Sequence, residues 1–178
     1  MKYRTALVGD YQIENSLMVI ETLMNCGIDI PYNIIYKALA ETCFPARMEV
    51  ISKKPLVILD GAHNPDGAMV LSAELKRYSG EITAIIGMMK DKDCDDFLKT
   101  TLCHCKNAVA TSVEGMPRSR KAEELKEKAI TYCDCKTASG YTDAIEKAVE
   151  LSEGKPIFIF GSLYLASAIR PLLIEKFK

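Results

Sequence analysis

The order of apolar and polar positions divides the chain into two parts with different rhythms. Up to about residue 43, apolar residues recur at helical spacing. Ile13, Leu17, Ile20 and Met24 share one face of a predicted first helix that ends at Cys26-Gly27. Pro31 opens a second, with Ile34, Ile35, Ala38 and Leu39 as its buried side, and Phe44-Pro45 breaks the pattern. From Ala46 onward, short apolar runs alternate with amphipathic stretches. Strands are predicted at 48–52, 56–60, 82–88, 107–112, 133–136 and 157–160. Helices are predicted at about 65–79, at 94–102, from Ser119 with Ala122, Leu125, Ala129 and Tyr132 in register, at 141–151 and at 163–177. Only Lys53, Lys54 and Pro55 separate the first two strands, too short a link for a crossover, so that pair must be an antiparallel hairpin. The remaining strands are joined through helices, which implies parallel neighbours and right-handed crossovers. The predicted class is α/β: a doubly wound, Rossmann-like mixed sheet of about six strands, five parallel and one antiparallel, preceded by two helices.

The sharpest transition lies in PLVILDGAHNPDGAMVL, residues 55–71. Leu56, Val57, Ile58 and Leu59 are apolar without alternation, as in a strand covered on both faces, and the run stops at Asp60. Asn64 then stands where a helix N-cap would, with Pro65 at the first helical position and Asp66 in the first turn. Ligands of open α/β sheets bind outside the carboxyl ends of the strands, which draws attention to Asp60 and His63. Asp60 reads either as a turn cap or as a partner for a ribose hydroxyl. His63, in a loop, reads either as a solvated residue or as a donor to phosphate. Asn64 is accounted for as an N-cap. Lys90, Asp91, Lys92 and Asp93 follow the 82–88 strand and read as a solvated loop or as part of the same cleft. Gly161-Ser162 joins the last strand to the last helix, where a helix start attracts carboxylate or phosphate and Ser162 is otherwise an N-cap. Arg47, isolated before the hairpin, is a surface charge or a clamp on ATP.

Composition narrows the classes. The chain has 178 residues, 48% of them apolar, enough for a real core. With 23 basic and 24 acidic residues there is no general electrostatic reason to bind nucleic acid or an anionic membrane. No apolar run approaches the roughly 20 residues needed to span a bilayer, and no signal peptide is recognisable, so the expected location is cytoplasmic. Seven cysteines, an odd number, point to reduced thiols rather than a disulfide framework. Cys103-His104-Cys105 and Cys133-Asp134-Cys135 invite a zinc reading, but C-x-C is not the usual knuckle spacing, and no metal site is expected in this chain. A GxxxxGK[ST] loop is absent, so nothing here cradles a nucleoside triphosphate unaided.

With these residues in view, LDGAHNPDGA closely resembles the signature of the folylpolyglutamate synthase and dihydrofolate synthase family, of which the muramyl ligases carry variants. GDYQIEN, FPARMEVI, MKDKD and GSLYLASAIRPLL resemble four further family segments, in the same order. The resemblance implies an ATP-dependent ligase that phosphorylates a folate or dihydropteroate carboxylate and lets the amino group of L-glutamate attack the acyl phosphate. It implies roles for Gln12, Asn15, Arg47, Asp60 and His63 toward ATP, with His63 also the catalytic candidate. It also implies roles for Ser162, Lys92 and Asp93 toward glutamate. Residues 1–43 resemble the helical end of a preceding ATPase domain, and 44–178 a C-terminal glutamate-ligase domain. The phosphate loop and the magnesium ligands belong to that preceding domain, so this chain is expected to be an inactive fragment whose uncovered helices could pair as a homodimer. Two positions depart from the family pattern: Ala46 stands where a glycine usually precedes the arginine, and Tyr11 where a histidine usually precedes Gln12. The alternatives are a free-standing, non-catalytic binding or regulatory module, and the C-terminal domain of a peptidoglycan ligase.

Overall fold

The structure, a computed structural model, describes residues 3–178. The chain divides between Glu49 and Val50 into two compact units.

The first unit holds α1 (Asp10–Asn25) and α2 (Tyr32–Glu41). Both helices form where their spacing predicts, but the burial differs from the expectation. Of the predicted inner faces only Ile20 and Ile35 are buried; Ile13, Leu17 and Met24 are 48%, 45% and 54% exposed, and Ile34 is 54% exposed. The buried positions of α1 include Gln12 and Ser16, whose hydroxyl donates to the Gln12 carbonyl at 2.7 Å. The reason is geometric: two short helices offer each other too little surface to cover a full apolar face.

The second unit is built on one six-stranded sheet with the order β1-β2-β6-β3-β4-β5. Its strands are β1 (Glu49–Lys53), β2 (Leu56–Leu59), β3 (Ile82–Ile86), β4 (Cys105–Ala110), β5 (Asp134–Thr137) and β6 (Ile157–Phe160). β1 and β2 form the antiparallel hairpin, and every other neighbouring pair is parallel. The helices are α3 (Pro65–Leu75), α4 (Cys94–Leu102), α5 (Ala122–Ala129), α6 (Tyr141–Ser152) and α7 (Leu163–Lys176). α3, α4 and α5 pack side by side as the chain steps from β2 through β5. The chain then turns back to place β6 between β2 and β3, and right-handedness puts α6 on the opposite face, where it meets α7. At β6 the winding reverses, so the connections leaving β2 and β6 part to opposite faces and open a crevice at their carboxyl ends.

β2, β3 and β6 are buried almost throughout, as uninterrupted apolar runs between two helical layers should be. Phe97 of α4 and Phe160 of β6 meet with ring centroids 6.1 Å apart, and Tyr78 meets Phe158 at 5.7 Å, clamping the helices to the sheet.

Two element boundaries differ from the sequence pattern for one reason. β3 stops at Ile86, although Met88 and Met89 are buried, because these residues pair with the connection after β4 instead of with the sheet. Met89 forms an antiparallel bridge with Ser119, and the Arg120 amide donates to the Met88 carbonyl at 2.8 Å. That extended pairing also delays α5, predicted from Ser119, until Ala122.

Candidate functional site

Four connections converge at the carboxyl ends of adjacent strands. From β2, Asp60 continues the ladder, its amide donating to the Ile159 carbonyl at 2.9 Å. Its side chain is buried, and Oδ1 accepts the Ala62 amide at 2.8 Å, folding the chain into a tight turn. His63 follows, its Nδ1 lying 2.8 Å from the Gly61 carbonyl. A carbonyl can only accept, so Nδ1 carries a proton, and in the neutral tautomer with that proton Nε2 is the acceptor. Asn64 caps α3 by accepting the Gly67 amide at 2.8 Å.

From β6, Gly161 takes φ +108°, a backbone state that favours glycine, and donates its amide to the Ala62 carbonyl at 2.9 Å. Ser162 then caps α7 by accepting the Tyr164 amide at 3.1 Å. The start of α7 thus stands at the crevice, and helix starts of this kind are natural seats for an anion. From β3 comes the loop carrying Asp91 and Lys92, and from β4 the segment carrying Arg118.

These connections enclose a cleft of about 550 Å³ lined by His63, Asp91, Lys92, Arg118, Ser162 and Tyr164 with their immediate neighbours. Of the residues named from sequence, His63, Lys92 and Ser162 therefore share one cleft. Asp60 sits beneath it and shapes the His63 turn. Asp93 lies at its edge as the N-cap of α4, accepting the Asp96 amide at 3.3 Å, and Asp91 takes the place in the lining. Gln12, Asn15 and Arg47 belong to the first unit. Asn15 donates to the Gln12 side chain at 3.2 Å, and the Arg47 guanidinium lies 5.8 Å from the Phe44 ring centroid. Sequence reasoning missed Arg118 and Tyr164. Arg118 stands 26 residues beyond Lys92 in an irregular segment with no periodicity; the proline before it was the one local sign of an ordered turn.

Among the described residues no group of three or more His, Cys, Asp or Glu side chains is placed to hold a metal ion. Burial pushes the Cys133 thiol up to about 12 and Cys135 to about 11, and raises Cys105 well above its usual value, so all three stay protonated at neutral pH. They pack as small apolar groups. His104 points elsewhere, its Nε2 lying 2.9 Å from the Ser72 hydroxyl of α3.

Comparison with known proteins fits this geometry. The family described as Mur ligase, glutamate ligase domain, matches residues 46–163. A folylpolyglutamate synthase of Lacticaseibacillus casei is 34% identical over 173 residues, covering 94% of this chain and 40% of that protein. E. coli FolC in complex with DHPP and ADP superposes with a TM-score of 0.86 at 25% identity, over 98% of this chain and 41% of its own. The bifunctional folylpolyglutamate synthase/dihydrofolate synthase of Yersinia pestis, complexed with AMPPNP and Mn ion, does so with a TM-score of 0.74 at 25% identity, over 86% of this chain and 37% of its own. The chain thus spans about two fifths of the length of the relatives it matches.

Proposed function

This chain belongs to the Mur ligase family through its glutamate ligase domain, and from that premise we propose that it is the C-terminal part of an ATP-dependent ligase joining L-glutamate to folate or dihydropteroate. The observation that carries this reading is the cleft in which His63, Lys92 and Ser162 meet at the start of α7. An amino-acid carboxylate held by the α7 amides, the Ser162 hydroxyl and the Lys92 ammonium would place its amino group toward the carboxyl ends of β2 and β6. There the amine attacks the acyl phosphate formed when ATP phosphorylates the acceptor carboxylate, and phosphate leaves. Nε2 of His63 accepts a proton from the incoming amine or a hydrogen bond from a phosphate-bound group.

On this reading Asp60 supports the ribose of ATP, Gln12, Asn15 and Arg47 each carry a role toward ATP, and Asp93 orders the Lys92 loop as well as the glutamate. Residues up to Cys43 are the end of a preceding ATPase domain, which would supply the phosphate cradle and the ligands for magnesium. The activities for which the relatives are named support the acceptor class, and the nucleotides and metal in their complexes support ATP with a divalent ion.

The test is glutamate incorporation by the full-length polypeptide with ATP and magnesium, offered dihydropteroate, tetrahydrofolate or a muramyl peptide as acceptor. Turnover with a pteroyl acceptor and none by the 178-residue chain alone is the expected result; preference for the muramyl acceptor overturns it. In the active enzyme, Ser162→Ala should raise the glutamate requirement about tenfold while Asp60→Ala and Arg47→Ala act mainly on ATP, each removing hydrogen bonds to charged groups. Uniform effects of all three on glutamate would contradict the assignment.

A further inference from the structure

The loop that carries Lys92 is not free. It is stitched along one edge to the segment Arg118–Arg120 from the next connection. Between the backbones, Met89 bridges Ser119, the Lys90 amide donates to the Arg118 carbonyl at 2.8 Å and the Arg120 amide donates to the Met88 carbonyl at 2.8 Å. Two guanidinium groups extend the seam. Arg120 donates to the Lys90 carbonyl at 3.2 Å, and Arg118 Nη1 pairs with Asp91 Oδ2 at 3.2 Å.

The Arg118–Asp91 pair is largely exposed on both sides, and an ion pair of that kind adds little to folding stability. Its position gives it another consequence. Both partners line the cleft, next to Lys92, and every ligand of the proposed reaction that would enter there is an anion. A bare Asp91 carboxylate would repel such a ligand and would compete for the neighbouring Lys92 ammonium, which among the described residues pairs with no carboxylate.

We propose, on the ligase reading above, that Arg118 is a positioning residue that acts through Asp91: it neutralises that carboxylate and so leaves the Lys92 ammonium to face the incoming amino acid's carboxylate. Arg118 on this account does not touch the substrate. Its removal harms binding by unmasking Asp91, so removing Asp91 as well should undo the harm.

The experiment is a double-mutant cycle in the full-length enzyme. Arg118→Ala is expected to raise the KM for glutamate about tenfold with little change in kcat, the size of one uncompensated charge close to the ligand. Arg118→Lys, which keeps the charge, and Asp91→Asn should both stay near the parent value, and Arg118→Ala with Asp91→Asn should return toward it. A double variant as impaired as Arg118→Ala overturns the proposal, because Arg118 would then contact the substrate directly; an unaltered KM for Arg118→Ala overturns it too. The 178-residue chain gives an independent reading by NMR. Arg118→Ala should shift the Asp91 and Lys92 amide resonances and speed exchange at the Lys90 amide, while Arg118→Lys should not, and unchanged spectra would sink the positioning role. If the parent enzyme ligates no glutamate, it is the ligase reading that fails, and the spectra still decide the role of the seam.

Discussion

The amide of Gly161 and the carbonyl of Ala62 lie 2.9 Å apart, and this one hydrogen bond ties the turn after β2 to the start of α7. At Gly161 the φ of +108° is strained for any L side chain, and a Cβ there would stand 2.9 Å from the Gly87 carbonyl oxygen and 3.1 Å from Cγ of Met88. Three of the four cleft-forming connections meet at this atom. Gly161→Ala should therefore cost about 1–3 kcal/mol, measured as a lower urea midpoint, with the His63 and Ser162 amide resonances both displaced. An unchanged midpoint would mean that the junction yields easily and does not set the cleft.

His104 should make the second unit sensitive to acid. Burial, helped by the Lys76 ammonium, lowers its pKa below the ordinary 6.5, so the folded state keeps the ring neutral against the Ser72 hydroxyl. The unfolded chain binds the proton more readily, so the stability this contributes is full above the unfolded pKa and is lost as pH falls below it. Urea midpoints should hold steady from about pH 8 to 7 and decline toward pH 5, with a shallower decline in His104→Gln. Equal declines in both proteins would show that carboxylates elsewhere carry the whole effect.

Ala46 occupies a conformation made for glycine. Its φ is +56°, and its amide donates to the Glu49 carboxylate at 3.0 Å, fixing the turn that presents Arg47. A left-handed residue with a Cβ costs roughly 1–2 kcal/mol, against roughly 0.5–1 for the added freedom of glycine in the unfolded chain. Ala46→Gly should consequently raise stability slightly, by about 0.5–1 kcal/mol in a thermal melt, and a loss of stability would show that the buried methyl outweighs the strain.

The helices of the first unit carry Ile13, Leu17, Met18, Val19, Met24 and Ile34 exposed. At roughly 25 cal/mol per Å², even a few hundred Å² of such surface favours covering it by several kcal/mol before entropic costs. The 178-residue chain is expected to self-associate in light scattering, and Leu17→Glu with Val19→Lys to shift it toward monomer. A parent chain that stays monomeric at high concentration would remove the homodimer from consideration.

The fold class of the second unit and the succession of its elements along the chain were legible in the sequence. Uninterrupted apolar runs such as Leu56 to Leu59 and Ile157 to Phe160 are legible because both faces of a parallel strand are buried, and the three-residue link after Lys53 leaves only a hairpin. The caps Asn64 and Ser162 were equally legible, since a cap is a local bargain between one side chain and an amide two or three residues on. Tertiary structure alone decided the rest. Which predicted apolar positions of α1 and α2 are covered depends on what stands opposite them, and periodicity marks a face without supplying its partner. Insertion of β6 between β2 and β3 brought His63 and Ser162 together from positions 99 residues apart. The bridge from Met89 to Ser119 brought Arg118 to Asp91, a pairing with no local signature, because it depends on where two irregular connections leave adjacent strands.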